Sequence, residues 1–165
     1  MLAAGKLSVE NGAHIVTQQF LDSFLILSGS GITFGLVVAM LFAAKSKQYK
    51  ALGKVAAFPA IFNVNEPVVF GFPIVMNPVM FLPFILVPIL AAIIVYASIA
   101  IGFMHPFSGV TLPWSTPAII SGFMVGGWQG AFVQVLVLAT STVVYFPFFK
   151  FQDNLAYNNE LQAEE

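Results

Sequence analysis

Residues 62–78 read FNVNEPVVFGFPIVMNP. Asn63, Asn65, Glu66 and Asn77 stand here among apolar side chains, and Pro67, Pro73 and Pro78 recur between them. A straight helix would lose a backbone hydrogen bond at each internal proline. The pattern instead predicts two half-helices meeting at Asn63–Glu66, with Pro59 in the first half. Pro67 falls in the first turn of the second, where its missing N–H is not needed. We expect a broken-helix hairpin over residues 55–77.

The surroundings decide what kind of hairpin this is. From Pro67 to Phe149, 83 residues contain no Asp, Glu, Lys or Arg. The whole chain has 165 residues, 59% hydrophobic and only 8% charged, with a mean hydropathy of +0.92. Soluble domains carry about 25% charged residues, and a chain without that polar skin belongs in a bilayer. The fold class is therefore all-α integral membrane: transmembrane helices plus a re-entrant hairpin. Broken backbone at membrane depth is tolerated only where it is buried in protein or lines a wet cavity.

Spans are expected at about 20–44, 79–104 and 128–149, with a partial insertion over 117–126. Gly29 and Gly31 can break or kink the first span, and Pro83 and Pro88 can kink the second. Residues 150–165 read as a polar cytoplasmic tail. Four of the six lysines, Lys45, Lys47, Lys50 and Lys54, cluster in KSKQYKALGK, and Lys150 follows the last span. Lysine marks the cytoplasmic side, which places both sites inside and the loop at 105–116 outside. A hairpin that returns to its own side, followed by two crossings, satisfies this count.

Several chemistries are excluded. The chain has no cysteine, so disulfides, thiolate metal sites and a cysteine nucleophile are absent. No metal-ligand cluster or phosphate loop is present, and SGSG at 28–31 lacks the strand and helix context of one. No cofactor is expected, nor nucleic acid, since the net charge of −1 offers no basic face. His14, in a polar lead-in, and His105, in a loop, read as ordinary solvated residues.

Glu66 is the main candidate. A carboxylate at membrane depth costs about 3 kcal/mol or more and marks a substrate or proton path. Asn63 and Asn65 add donors and acceptors, a set suited to a polyhydroxylated ligand. The structural alternative is that Glu66 caps the second half-helix or pairs with a lysine. Trp114, in LPWSTP, is either an interface anchor or a platform for the apolar face of a sugar ring.

FNVNEPVVFGFPIVMNP resembles the signature hairpin of the membrane subunit, enzyme IIC, of the bacterial sugar phosphotransferase system, in its lactose/cellobiose/diacetylchitobiose family. HIVTQQFLDSFLILSGSG, KSKQYKALGK, LPWSTP and YFPFFK are similar to successive segments of that family, so the likeness covers about His14 to Asp153. It implies a permease in the bacterial cytoplasmic membrane that binds a disaccharide, usually β-linked, such as cellobiose, lactose or diacetylchitobiose. A separate IIB protein, served by IIA, phosphorylates the sugar from its own phosphocysteine. The likeness places Glu66 near the hydroxyl that receives phosphate and Trp114 against the sugar, with Asn63 and Asn65 at the same site. The family's histidine belongs to an earlier motif, so neither His14 nor His105 takes its role. The chain is expected to be the C-terminal portion of a permease that dimerises through helices further upstream. The competing expectations are a fragment of a cation-coupled secondary transporter, with Glu66 as an ion site, and a structural fragment that binds nothing.

Overall fold

A computed structural model describes residues 21–72, 74–104 and 112–163. His14 and His105 lie outside the described residues. Among these residues the structure is entirely helical: α1 (Phe34–Ala43), α2 (Lys47–Ile61), α3 (Glu66–Gly71), α4 (Pro78–Ala100) and α5 (Ile120–Ala163), with a π-helical turn at Leu21–Leu25 and a 3-10 turn at Ile74–Met76.

The expected 20–44 span is not one helix. After Leu25 the chain runs through turns to residue 33, and Ser28, Gly29, Gly31 and Ile32 all have left-handed φ. Ile32 is the unusual member, because β-branched residues rarely adopt this conformation. The helix that follows, α1, has 10 residues; at 1.5 Å per residue it reaches about 15 Å, half of a hydrocarbon core.

KSKQYKALGK is mostly the start of α2. Ser46 caps it, its hydroxyl accepting from Tyr49 N. At the other end α2 closes in a Schellman arrangement, with Val64 N donating to Pro59 O at 3.1 Å and Asn63 N to Ala60 O at 3.3 Å. Asn63 takes the left-handed position (φ 63°) that such a cap requires. The chain then turns back through α3. Tyr49 stacks on Phe72 with centroids 4.4 Å apart, so the segment 47–72 folds back on itself with its tip at 62–65.

Two helices among the described residues are long and apolar enough to cross a membrane, α4 and α5. The 23 residues of α4 span about 35 Å. Asn77 caps α4, accepting from Val79 N at 3.1 Å and from Gln152 Nε2 at 3.0 Å. Leu82, Ile85, Ile89 and Ile93 are exposed along one face of α4, whereas Met80, Val87, Ala91 and Val95 on the other are buried. In water a continuous exposed apolar face is a liability; against acyl chains it is solvated.

The segments expected at 117–126 and 128–149 are the two arms of α5, broken at Gly126 and Gly127, whose backbone leaves helical geometry (φ 64°, ψ −156° at Gly127). The core lies between α5 and the shorter helices, with Leu36, Met40, Val87, Val137, Tyr145 and Phe149 almost fully buried. A Cβ at Gly35 would run into the backbone of Ser141 and Thr142; glycine is what lets α1 approach α5 this closely.

The C-terminal residues, read as a tail, continue α5 as helix to Ala163. Their acids hold the start of α2. Asp153 accepts from Lys45 N (2.8 Å) and Ser46 N (3.1 Å). Glu160, two turns further along the same face, accepts from Ser46 Oγ (2.6 Å), Lys47 N (3.0 Å) and Gln48 N (3.2 Å). Both carboxylates satisfy donors at a helix N-terminus, where negative charge is favoured.

The hydrogen bond from Ser46, followed by that from Lys47 N, holds the Glu160 carboxyl below its ordinary value of 4.5. A lowered folded-state pKa gives stability that is present above the unfolded value and is lost as pH falls through the folded one. Thermal unfolding in detergent should therefore show a loss of stability below about pH 4.5, and Glu160→Gln should weaken that dependence. An identical acid dependence in the variant would exclude the contribution.

Candidate functional site

The hairpin tip contains three of the four residues singled out from sequence, and the structure gives them different surroundings. Asn63 is 7% exposed and its side chain is fully engaged. Its amide nitrogen donates to Trp114 O (2.7 Å) and Thr116 O (3.0 Å), and its oxygen accepts from Ser28 N (2.7 Å). One amide thus joins the hairpin tip, the broken segment after residue 25 and the LPWSTP loop. Asn65, also 7% exposed, donates from Nδ2 to Ser30 O at 2.7 Å. A Cβ at Gly29 (φ 83°) would collide with the Asn65 side chain, so this turn needs glycine for both space and conformation. The two asparagines hold backbone in place, a use of amides that composition and spacing do not distinguish from ligand binding.

Glu66 opens α3 and is exposed. Among the described residues it has neither an ion-pair nor a hydrogen-bond partner, so the expected alternative of a lysine partner is not realised there. The Trp114 indole is 64% exposed, while its carbonyl is held by Asn63. Tip and loop are therefore joined through the backbone of Trp114, leaving its ring and the Glu66 carboxylate accessible. A carboxylate can accept from hydroxyls, and an indole face can pack on apolar C–H groups. Together they suit a ligand that has both. No group of His, Asp or Glu able to hold a metal occurs among the described residues.

Of the supporting polar residues, Ser141 and Gln134 escaped notice in the sequence, and Tyr145 reads there as an interface aromatic at the end of the last span, a place it does not take. Tyr145 is fully buried and donates to Gly31 O at 2.8 Å. Ser141, also fully buried, donates to Ile32 O at 2.5 Å and accepts from Gly35 N at 3.2 Å. Gln134 is fully buried as well. A signal existed: positions 134, 141 and 145 lie on one face of a helix, and each is polar within an apolar span.

Comparison with known proteins places this geometry. Residues 1–88 match the family model described as the phosphotransferase system, EIIC. The chain belongs to this family of membrane-embedded permease components. It is 45% identical over 152 residues to the lichenan permease IIC component of Bacillus subtilis (strain 168), covering 91% of this chain and 34% of that protein. To the cellobiose-specific EIIC component of Geobacillus stearothermophilus it is 44% identical over 142 residues, covering 85% of this chain and 32% of that one. The crystal structure of ChbC, the IIC component of the N,N'-diacetylchitobiose-specific phosphotransferase system, superposes with a TM-score of 0.85 at 40% identity. That match covers 88% of this chain and 34% of ChbC. The chain spans about a third of the length of these relatives.

Asn63→Ala removes three hydrogen bonds and puts alanine at a left-handed position. Leaving buried backbone groups unpaired costs about 1–3 kcal/mol. The variant should melt at lower temperature in detergent, and limited proteolysis should cut the 112–116 loop faster. Unchanged cleavage would show that the asparagine does not hold the loop.

Proposed function

We propose that this chain forms the sugar-binding part of a phosphotransferase-system permease for a disaccharide, β-linked as in cellobiose, lactose or diacetylchitobiose. The observation that carries the proposal is an exposed Glu66 carboxylate with no partner among the described residues, at the start of α3, together with an exposed Trp114 ring on the loop that Asn63 joins to the hairpin tip. Trp114 stacks on a sugar ring, and Glu66 accepts from and polarises the hydroxyl that is to be phosphorylated. A IIB partner, itself charged by IIA, supplies the phosphoryl group from its cysteine: the sugar oxygen bonds to phosphorus as the S–P bond breaks, the hydroxyl proton passes to the Glu66 carboxylate and the cysteine leaves as a thiolate on IIB. Asn63 and Asn65 serve the site by shaping the tip.

Residues 55–77 enter the membrane and return to the same side as a re-entrant hairpin. The lysine-rich start of α2 and the C-terminal end of α5 face the cytoplasm, where IIB reaches the sugar. The bonds from Asp153 and Glu160 to residues 45–48 support this arrangement, because they keep both ends on one side. The permease works as a homodimer.

A chimera in which this chain replaces its counterpart in the lichenan permease IIC component allows the roles to be measured. Glu66→Gln should reduce cellobiose uptake at least about hundredfold while the protein still reaches the membrane. Normal uptake by that variant would rule out the carboxylate's role, and uptake driven by a proton or sodium gradient without IIB would replace the phosphotransferase reading. The natural absence of cysteine makes topology testable too. Lys50→Cys and Lys150→Cys should react with an impermeant maleimide only from the cytoplasmic side; labelling of either from outside would refute the orientation.

A further inference from the structure

Gln134 makes four hydrogen bonds from the apolar middle of α5. Its oxygen accepts from Ile119 N (2.5 Å) and Gly122 N (3.0 Å). Its nitrogen donates to Ser23 O (2.6 Å) and Ser121 Oγ (2.9 Å). Every donor of this amide is used, and the side chain is 0% exposed. An uncompensated amide there would be strongly disfavoured, so residue and partners are tightly coupled.

The position of those partners gives the interaction its consequence. Ile119 immediately precedes the short arm of α5 and Gly122 lies in its first turn, where orphan N–H groups need acceptors. Ile119 also has left-handed φ (72°), an unfavourable conformation for a β-branched residue that the bond to Gln134 helps to hold. Only Pro117 and Ala118 separate this anchored turn from Thr116, whose carbonyl binds Asn63. The loop carrying Trp114 is thus held on its downstream side by Gln134 and at its centre by Asn63.

We propose that Gln134 is a positioning residue for Trp114: it fixes where the short arm starts, and through it the direction in which the indole faces a bound sugar. The inference rests on the permease reading for its functional consequence, but its mechanical part does not. Gln134→Glu keeps an acceptor for Ile119 N and Gly122 N and should retain the loop. Gln134→Met removes all four bonds and should release it.

In the isolated chain carrying Trp128→Phe, Trp114 is the sole tryptophan. Its fluorescence anisotropy should fall in Gln134→Met and stay near the parental value in Gln134→Glu. In the chimeric permease, Gln134→Met should raise KM for cellobiose by about tenfold with little change in maximal rate, the signature of lost binding. Added to Trp114→Ala it should cause almost no further rise, since residues acting through one contact are not additive. Unchanged anisotropy in Gln134→Met, or an additive double variant, overturns the proposal. A chimera that takes up no disaccharide with Gln134 intact overturns the permease reading instead, and the anisotropy then decides the positioning role by itself. If Gln134→Met does not accumulate, Gln134→Leu at reduced temperature provides the same comparison, with retained anisotropy again the refuting result.

Discussion

Backbone that leaves helical geometry within an apolar environment has to find its hydrogen bonds inside the protein. Residues 23–32 do this in part through backbone bonds, from Gly29 N to Ile26 O and from Ile32 N to Gly29 O, and in larger part through side chains. Ser23 O binds Gln134, Ser28 N binds Asn63, and Ser28 O binds Thr33 Oγ1. Ser30 O, Gly31 O and Ile32 O bind Asn65, Tyr145 and Ser141. Apart from the local Thr33, the partners come from the hairpin tip and from the long helix, so one irregular segment ties the two together. Left-handed residues, costly in themselves, persist because this set of bonds holds them from both sides.

The same logic governs the other end of α2. Its first N–H groups would be orphans without acceptors, and Asp153 and Glu160 provide them from the polar extension of α5. With one end of α2 held by carboxylates and the other by the Asn63 amide, the hairpin is located along its whole length. Glu66 and Trp114 are presented from this held frame, and precise placement of polar groups is what the sugar-binding role proposed for them requires.

Much of this was legible in the residues. A charge-free run of 83 residues admits no soluble fold, and the prolines around Asn63–Glu66 mark a break because each removes a donor. Gly29 and Gly31 signalled another break, and the chain does leave the helix there. The roles of the amides were not legible. An asparagine beside a carboxylate at a helix break serves equally well as sugar ligand or backbone staple, and the choice depends on residues 35 to 53 positions away. Gln134 escaped for the same reason: its most distant partner, Ser23, lies 111 residues away.

By itself the sequence determined the solvent, the helical class and the place of the chain break, because hydropathy and missing donors act locally. It also pointed to Glu66 and Trp114 as the groups with chemistry to offer. Tertiary structure alone decided which polar side chains are spent on the protein and which stay without a partner among the described residues. Hydrogen-bond satisfaction is a property of atoms brought within about 3 Å of one another, and no spacing along the chain records which loops a buried amide will join.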